Sequence, residues 1–443
     1  MKKRCIYTVT AALLLIFYKP ASAQNTGGQL QHLSLDEVWA KAVTYNKQLH
    51  VKKQEVESGK EEIKDAMAER LPEVQVGGDY ARVSNMPIFE NGLLHTPSQY
   101  PVLHSTYGLD GDAYLNIYNG NKTNLHIAQK QTLEAEKQIQ VAQTQSQVKL
   151  LAAVHYLELQ KGLMFKQLLL SDIAAQQKQL DKIEQLRKNG VVLKSDVLRA
   201  QLQLSRQQLS VTTIDNDIAI ARQQLAVTMS EPDDFAVQPD STSLADSAGV
   251  KTYNELLADA YHHAFAGKIS EQETQLKALQ LKDVKGSNMP KVGLFATYSV
   301  SYPQIMFYPY SPYLYGFGLA GVKASFSISG LYTNRHKIKA AQIELQKQET
   351  EHEDMLDGIR LSVNNAYLRL QEARHRVEVA KVNVKQAEEN SRIVNNTYFN
   401  QTSLITDLLD ANNTLLQTRF ELTAAQIGEQ VQYYQLQNAI GDL

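Results

Sequence analysis

The chain has 443 residues, with 45 Lys and Arg against 47 Asp and Glu for a net charge of −2, and a single cysteine. So balanced a charge lacks the basic patch or stripe of a nucleic-acid-binding surface, and one cysteine excludes both a disulfide framework and a cysteine metal site. Beyond Tyr18 no apolar run approaches a spanning helix, so any membrane role falls to a β-barrel, the other structure that satisfies its backbone in lipid.

At the N-terminus Lys2, Lys3 and Arg4 precede an apolar stretch reaching Tyr18, and Ala21-Ser22-Ala23 places small residues after it. This is the pattern of a secretory signal peptide over 1–23, with cleavage expected before Gln24. Cys5 would leave with it.

The remainder repeats itself. Tyr156-Leu157-Glu158-Leu159-Gln160 returns as Tyr367-Leu368-Arg369-Leu370-Gln371, a shift of 211 (156 to 367) that also pairs Asp196 with Asp407 and Leu225 with Leu436. A shift of 218 (72 to 290) joins Leu71-Pro72 to Met289-Pro290 and Tyr80 to Tyr298. Two structural repeats are therefore expected, 24–230 and 251–443, with a connector over 231–250 that carries Pro232 and Pro239.

Each half reads as helix, strand pair, very long helix, turn, helix. Ser34 and Glu37 form a capping box with Leu33 and Val38 as its hydrophobic staple, and Thr252 and Glu255 repeat the box. Prolines avoid 102–231 and 313–443, which frees both stretches to be helical. From Thr123 to Arg187 the pattern runs unbroken, about 100 Å at 1.5 Å per residue.

In the second half Ile359, Val363, Ala366, Leu370, Ala373, Val377, Ala380, Val384 and Ala387 alternate steps of four and three. This is a coiled-coil seam, and an ordinary two-stranded coiled coil would satisfy it too. His155, Gly162 and Lys166 interrupt the equivalent stripe of the first half, which predicts different neighbours for the two.

Four segments alternate with period two. Val74, Val76 and Tyr80 share a face of the first; Tyr107, Leu109, Ala113, Leu115 and Ile117 share one of the second, against Asp110, Asp112, Tyr114 and Asn116. The third alternates from Val292 to Tyr302, and the fourth sets Ala320, Val322, Ala324, Phe326 and Ile328 against Lys323, Ser325 and Ser327. Tyr308, Tyr310, Tyr313 and Tyr315 fall in the third-to-fourth link, suited to an aromatic girdle. Such strands fit an outer-membrane barrel, or a soluble sheet lying on a protein core. Four cannot close a barrel, so membrane insertion would require several chains to share one.

With Leu33-Ser34-Leu35-Asp36-Glu37, the two proline steps, the turn Gly190-Val191-Val192-Leu193-Lys194-Ser195-Asp196-Val197 and the segment from Tyr398 through Gln401-Thr402 to Asp407-Leu408-Leu409-Asp410-Ala411, the chain resembles the TolC-like outer-membrane efflux family over essentially its whole mature length. The resemblance implies a mainly α fold with β: long antiparallel α-helical coiled-coil hairpins forming an α-barrel, plus four strands per chain contributing to a shared trimeric transmembrane β-barrel. It implies a homotrimer in the outer membrane of a Gram-negative bacterium, a passive exit duct of a tripartite efflux or secretion system. Its partners would be outer-membrane lipid, a periplasmic adaptor (membrane fusion) protein and an inner-membrane pump.

By the same resemblance Asp407 and Asp410 form an acidic ring at the periplasmic entrance, where a solvated face or a helix-start charge is the alternative. Tyr398 and Asp196 hold that entrance shut, and Gly190, Leu193, Ser195, Thr402 and Leu404 belong to the adaptor-docking turns. The chain departs from the family pattern at Ser403, where some members carry an arginine, and at Gln401, which replaces a turn glycine; Arg199 could supply a substitute cation. No catalytic motif, cofactor site or metal site is expected: His95, His104, His262 and His263 lack partners at ligand spacing, and Asp110 and Asp112 fit a polar barrel lumen. A periplasmic coiled-coil adaptor or scaffold is the alternative function.

Overall fold

A computed structural model describes residues 31–233, 235, 237–240, 251–303 and 311–443. The expected signal peptide, the connector beyond Asp240, and Tyr308 and Tyr310 lie outside the described residues. In chain order the elements are β1 (Gln31–Leu33), α1 (Leu35–Tyr45), α2 (Lys47–Ala68), β2 (Glu73–Arg82), β3 (Met86–Ile88), β4 (Ser98–Tyr100), β5 (Ser105–Tyr118), α3 (Lys122–Lys188), α4 (Lys194–Met229) and β6 (Val237–Pro239). There follow α5 (Tyr253–His263), α6 (Phe265–Gly286), β7 (Lys291–Tyr302), β8 (Tyr315–Ser325), α7 (Gly330–Thr333), α8 (Arg335–Phe399) and α9 (Ile405–Ile440).

Two very long helices dominate, α3 with 67 residues and α8 with 65. Neither has a proline to remove a hydrogen bond, and each finds partners along its length: α3 packs on α4, α2, α6 and α9, and α8 on α9 and α6. The apolar seam of α8 explains the packing, because Ile359, Val363, Leu370, Val377, Ala380 and Ala387 are all buried.

The two halves do face different neighbours, as expected: α3 packs on α6 and α9 of the other repeat besides α2 and α4, whereas α8 packs on α5, α6 and α9 of its own. The interrupted stripe itself meets α4 as the α8 stripe meets α9, with a different chemistry of contact. His155 Nδ1 lies 3.0 Å from Thr228 Oγ1, Lys166 pairs with Asp215 at 2.6 Å, and Gly162 admits Ile218 so closely that a Cβ would come within 2.9 Å of it.

Matching positions build two matching cores. Val38, Ala42, Val148, Ala152, Leu159, Leu225 and Met229 form one, while Leu256, Ala260, Ile359, Val363, Leu370, Leu436 and Ile440 form the other. The capping box at α1 is complete, with Glu37 N donating to Ser34 Oγ at 3.3 Å and Ser34 N to Glu37 Oε2 at 2.8 Å. Where the sequence predicts one leading helix per half, each is broken in two. Asn46 ends α1 in extended geometry and its side chain accepts from Gln48 N and Leu49 N to restart the chain as α2; Ala264 marks the equivalent break between α5 and α6.

The connector is also more than a linker. Its β6 pairs in parallel with β1, Val237 opposite Gln31, and Val237 is fully buried. The buried Tyr156 hydroxyl of α3 donates to Leu33 O at 3.0 Å and accepts from Asp240 N at 3.1 Å. One phenol thus holds both strands.

Candidate functional site

The four long alternating strands form one antiparallel sheet in the order β2-β5-β7-β8. Register aligns their faces. Val74, Ala113, Ala296 and Ala320 form one cross-strand row, Leu115, Leu294 and Val322 another, and Leu109 and Val300 a third. Because directly opposed residues share a face, these rows join into an apolar surface whose only charged strand residue is Arg82, at the end of β2. That surface is uncovered: Val76 is 75% and Tyr80 71% exposed. Among the described residues, therefore, the sheet does not lie on the chain's own core.

Three details depart from the expected strand faces. A bulge between Asn116 and Tyr118 leaves Ile117 unpaired, so Tyr118 takes the apolar face opposite Val292. β8 starts at Tyr315 and ends at Ser325, which moves Tyr315 out of the link and leaves Phe326 and Ile328 beyond the strand. The β2–β5 link is itself folded, since β3 and β4 pair as a short antiparallel ladder.

At the far end of the long helices the chain turns twice, from α3 into α4 and from α8 into α9, with the same geometry. Val191 N donates to Leu186 O and Gly190 N to Arg187 O, both at 2.9 Å; Thr402 N donates to Thr397 O and Gln401 N to Tyr398 O, again at 2.9 Å. This is the Schellman closure, which requires a left-handed residue at its corner. Gly190 has φ 77° and Gln401 φ 64°, so the glutamine takes the glycine conformation despite its Cβ. Ser403 does not stand in for an arginine: its Oγ accepts from Thr397 Oγ1 at 3.1 Å and stitches the turn to itself.

Leu193 and Leu404, one at the start of each returning helix, are 70% and 69% exposed. Gly190, Ser195 and Thr402 are exposed beside them. Asp196 and Asp407 occupy the third position of those helices, where their carboxylates accept from Leu193 N at 3.3 Å and Leu404 N at 3.1 Å. A negative charge there also suits the positive end of the helix dipole. Asp410 follows Asp407 one turn later and both are exposed. Arg199 is exposed and makes no ion pair among the described residues.

Tyr398 lies between the two turns, buried with Leu180, Ile183, Val197, Ala200, Leu204, Ile405 and Leu408. Its hydroxyl is buried without a hydrogen-bond partner among the described residues. Burial first, and then the negative charge of Asp196, push its phenol up. The expected latch pair is thus brought into electrostatic reach, while Asp196 spends its carboxylate on the helix start.

Above the turns lies a polar layer that seam reading passes over, because polar residues such as the buried Gln176, Gln207 and Ser391 do not register in an apolar pattern. Asp172 accepts from Gln176 and Gln207, both at 2.8 Å, and burial pushes its carboxyl up against the pull of those amides. Asn412 Nδ2 donates to Gln179 Oε1 at 2.9 Å, and Ser391 Oγ donates to Asn412 Oδ1 at 3.0 Å. No group of three or more potential metal ligands occurs among the described residues, and no described helix is long and apolar enough to cross a membrane.

Solved structures share this fold. The outer-membrane channel OprN matches with a TM-score of 0.75 at 15% identity, over 92% of this chain and 90% of its own. CusC, described as undergoing conformational changes on folding and transmembrane channel formation, matches with a TM-score of 0.75 at 14% identity over 95% of each chain. The outer membrane protein VceC of Vibrio cholerae matches with a TM-score of 0.72 at 15% identity, over 92% of this chain and 96% of its own. No protein-family model and no curated protein matches the sequence. The chain thus shares the mainly α fold with β of these outer-membrane channels.

Proposed function

We propose that this chain is one protomer of a homotrimeric exit duct in the outer membrane of a Gram-negative bacterium, with its helices extending as a tube into the periplasm. The observation that carries the reading is the sheet, with a bare apolar face and two open edges, β2 and β8. In lipid each unpaired edge group would cost several kcal/mol. Pairing β2 of one copy with β8 of the next removes both edges, and three copies give a twelve-stranded closure. The helical stem, about 100 Å long at 1.5 Å per residue, then continues the barrel on one side only.

The duct is passive, and its far end carries the functional residues. Asp407 and Asp410 from three copies ring the entrance and favour cations. Tyr398 and Asp196 hold it closed, with Arg199 the cation at hand. The exposed Leu193 and Leu404, with Gly190, Ser195 and Thr402, form the surface on which a periplasmic adaptor docks and links the duct to an inner-membrane pump. Two matched, solvent-facing leucines give the tips an apolar surface for such docking. A soluble adaptor or scaffold has no use for a bare apolar sheet.

Membrane fractionation with semi-native electrophoresis tests the core of this reading. An outer-membrane, detergent-requiring, heat-modifiable trimer is expected. A monodisperse monomer soluble without detergent would overturn it.

A further inference from the structure

The two repeats do not have equal company. α3 packs on α2 and α4 of its own repeat and also on α6 and α9 of the other. Its counterpart α8 packs on α5, α6 and α9, the counterparts of α1, α2 and α4, and among the described residues has no comparable packing on α2 or α4. Burial records the difference. Ser146, Ala153, Leu157 and Gln160 of α3 return, shifted by 211 (157 to 368), as Asp357, Asn364, Leu368 and Gln371 of α8. The first four are buried and the last four exposed, Leu157 to 1% and Leu368 to 55%.

The α3 flank is covered by α9. Ser146 Oγ donates to Asn438 Oδ1 at 2.8 Å, and the Phe165 and Phe420 ring centroids lie 4.6 Å apart. The same shift of 211 makes Leu209 and Val227 of α4 the counterparts of Phe420 and Asn438, and these two are 69% and 61% exposed. Charge follows the same scheme nearer the sheet. Burial and the charge of Glu273 in α6 push the Glu136 carboxyl of α3 up. Their counterparts are Lys347, by the shift of 211 (136 to 347), and Glu55, by the shift of 218 (55 to 273). Among the described residues each is paired only along its own helix, Lys347 with Glu351 at 3.5 Å and Glu55 with Lys52 at 2.7 Å.

We infer that the bare flank of α8 docks on α2 and α4 of a second copy of this chain, repeating the joint that α3 makes with α6 and α9, an inference that rests on the homotrimer reading. The same two flanks carry the unpaired strands, because α2 leads into β2 and α8 follows β8. Such a joint is head-to-tail, and a ring results when its rotation closes. Asp357 then lies beside Val227 of the next copy, and Lys347 beside its Glu55. A pair of like charges inside the chain becomes a pair of opposite charges between copies, which favours the correct partner and fixes its register.

The test is cross-linking of the full-length protein, with Cys5→Ser as background and Asp357→Cys combined with Val227→Cys, both at exposed positions. A short bismaleimide added to detergent extracts should give covalent dimers and trimers on denaturing gels, and neither single variant should do so. Independently, Lys347→Glu should lower the temperature at which trimers dissociate on semi-native gels. Adding Glu55→Lys to it should restore that temperature, the recovery that isolates a pairwise contact. Trimers that form without cross-linking of the double-cysteine variant, or a charge swap with no recovery, would overturn the inference and leave the duct standing. Absence of trimers in the parent protein would instead count against the duct, and against this inference with it.

Discussion

Gly190 and Gln401 stand at the same corner of two matching turns, 211 positions apart (190 to 401), with φ of 77° and 64°. Only Gly190 adopts that conformation without a Cβ penalty. The left-handed region costs a residue with a Cβ roughly 1–2 kcal/mol, so Gln401→Gly should raise stability by about 1 kcal/mol and Gly190→Ala should lower it similarly. Thermal unfolding of the detergent-solubilised protein measures both. A Gln401→Gly midpoint at or below the parent would mean that the Gln401 side chain makes a compensating contact.

The Tyr156 hydroxyl ties α3 to β1 and β6. Tyr156→Phe removes two hydrogen bonds in a buried setting and should cost about 1–3 kcal/mol. Limited proteolysis should then cut first near the connector. A variant as stable and as resistant as the parent would show that the small parallel sheet holds without its clasp.

Asp172 should give the stability a pH dependence. Burial raises its carboxyl above the ordinary range, chiefly through desolvation, while Gln207, Gln176 and the charge of Arg419 pull the other way. A raised folded pKa means that the native state keeps a proton that the unfolded chain has lost. This contribution is complete below the unfolded value near 4 and falls away as pH rises through the folded value. Asp172→Asn keeps an oxygen for both glutamines, so it should stabilise the protein at neutral pH and flatten its profile upward from about pH 4. Denaturation midpoints at several pH values decide it, and identical profiles for parent and variant would exclude Asp172 as the titrating group.

The two entrance carboxylates should separate by role. Asp407 accepts from Leu404 N, and Asp410 makes no such contact among the described residues. Asp410→Asn alone should weaken cation selectivity without altering stability, whereas Asp407→Asn should do so and also cost about 0.5–1 kcal/mol of helix-start stabilisation. The double variant should raise anion conductance and abolish block by trivalent cations. Unchanged selectivity in bilayer recordings would remove both residues from the conduction path.

Leu370 is fully buried midway along α8. Proline there removes a helical hydrogen bond and clashes with the preceding turn, at about 3 kcal/mol or more. Loss of oligomer is the expected result on semi-native gels. Leu370→Ala, which only leaves a cavity, should assemble with a lowered midpoint. Normal assembly of the proline variant would contradict a continuous packed helix.

Whatever depends on neighbours along the chain is legible in the residues themselves. The unbroken pattern from Thr123 to Arg187 marks α3 nearly to its observed ends, Lys122 and Lys188, and period-two alternation marks the uncharged rows from Val74 to Ala320. The Ser34–Glu37 and Thr252–Glu255 boxes mark helix starts, because a cap is a bond between residues three apart. Tertiary structure decides the rest. Ile117 reads as one more apolar-face residue, but a bulge is set by the partner strand and drops it from the ladder. Residues 237–239 read as linker because three residues carry no period of their own; the pairing with β1 and the Tyr156 hydroxyl make them a strand. His155, Gly162 and Lys166 read as a change of neighbour without naming it; the fold sets α3 against α6 and α9 of the other repeat as well as α4, whose Thr228, Ile218 and Asp215 answer the three residues one by one. Local propensity and periodicity fix each element and its faces, whereas the energy that chooses between long-range partners is visible only once both partners are in place.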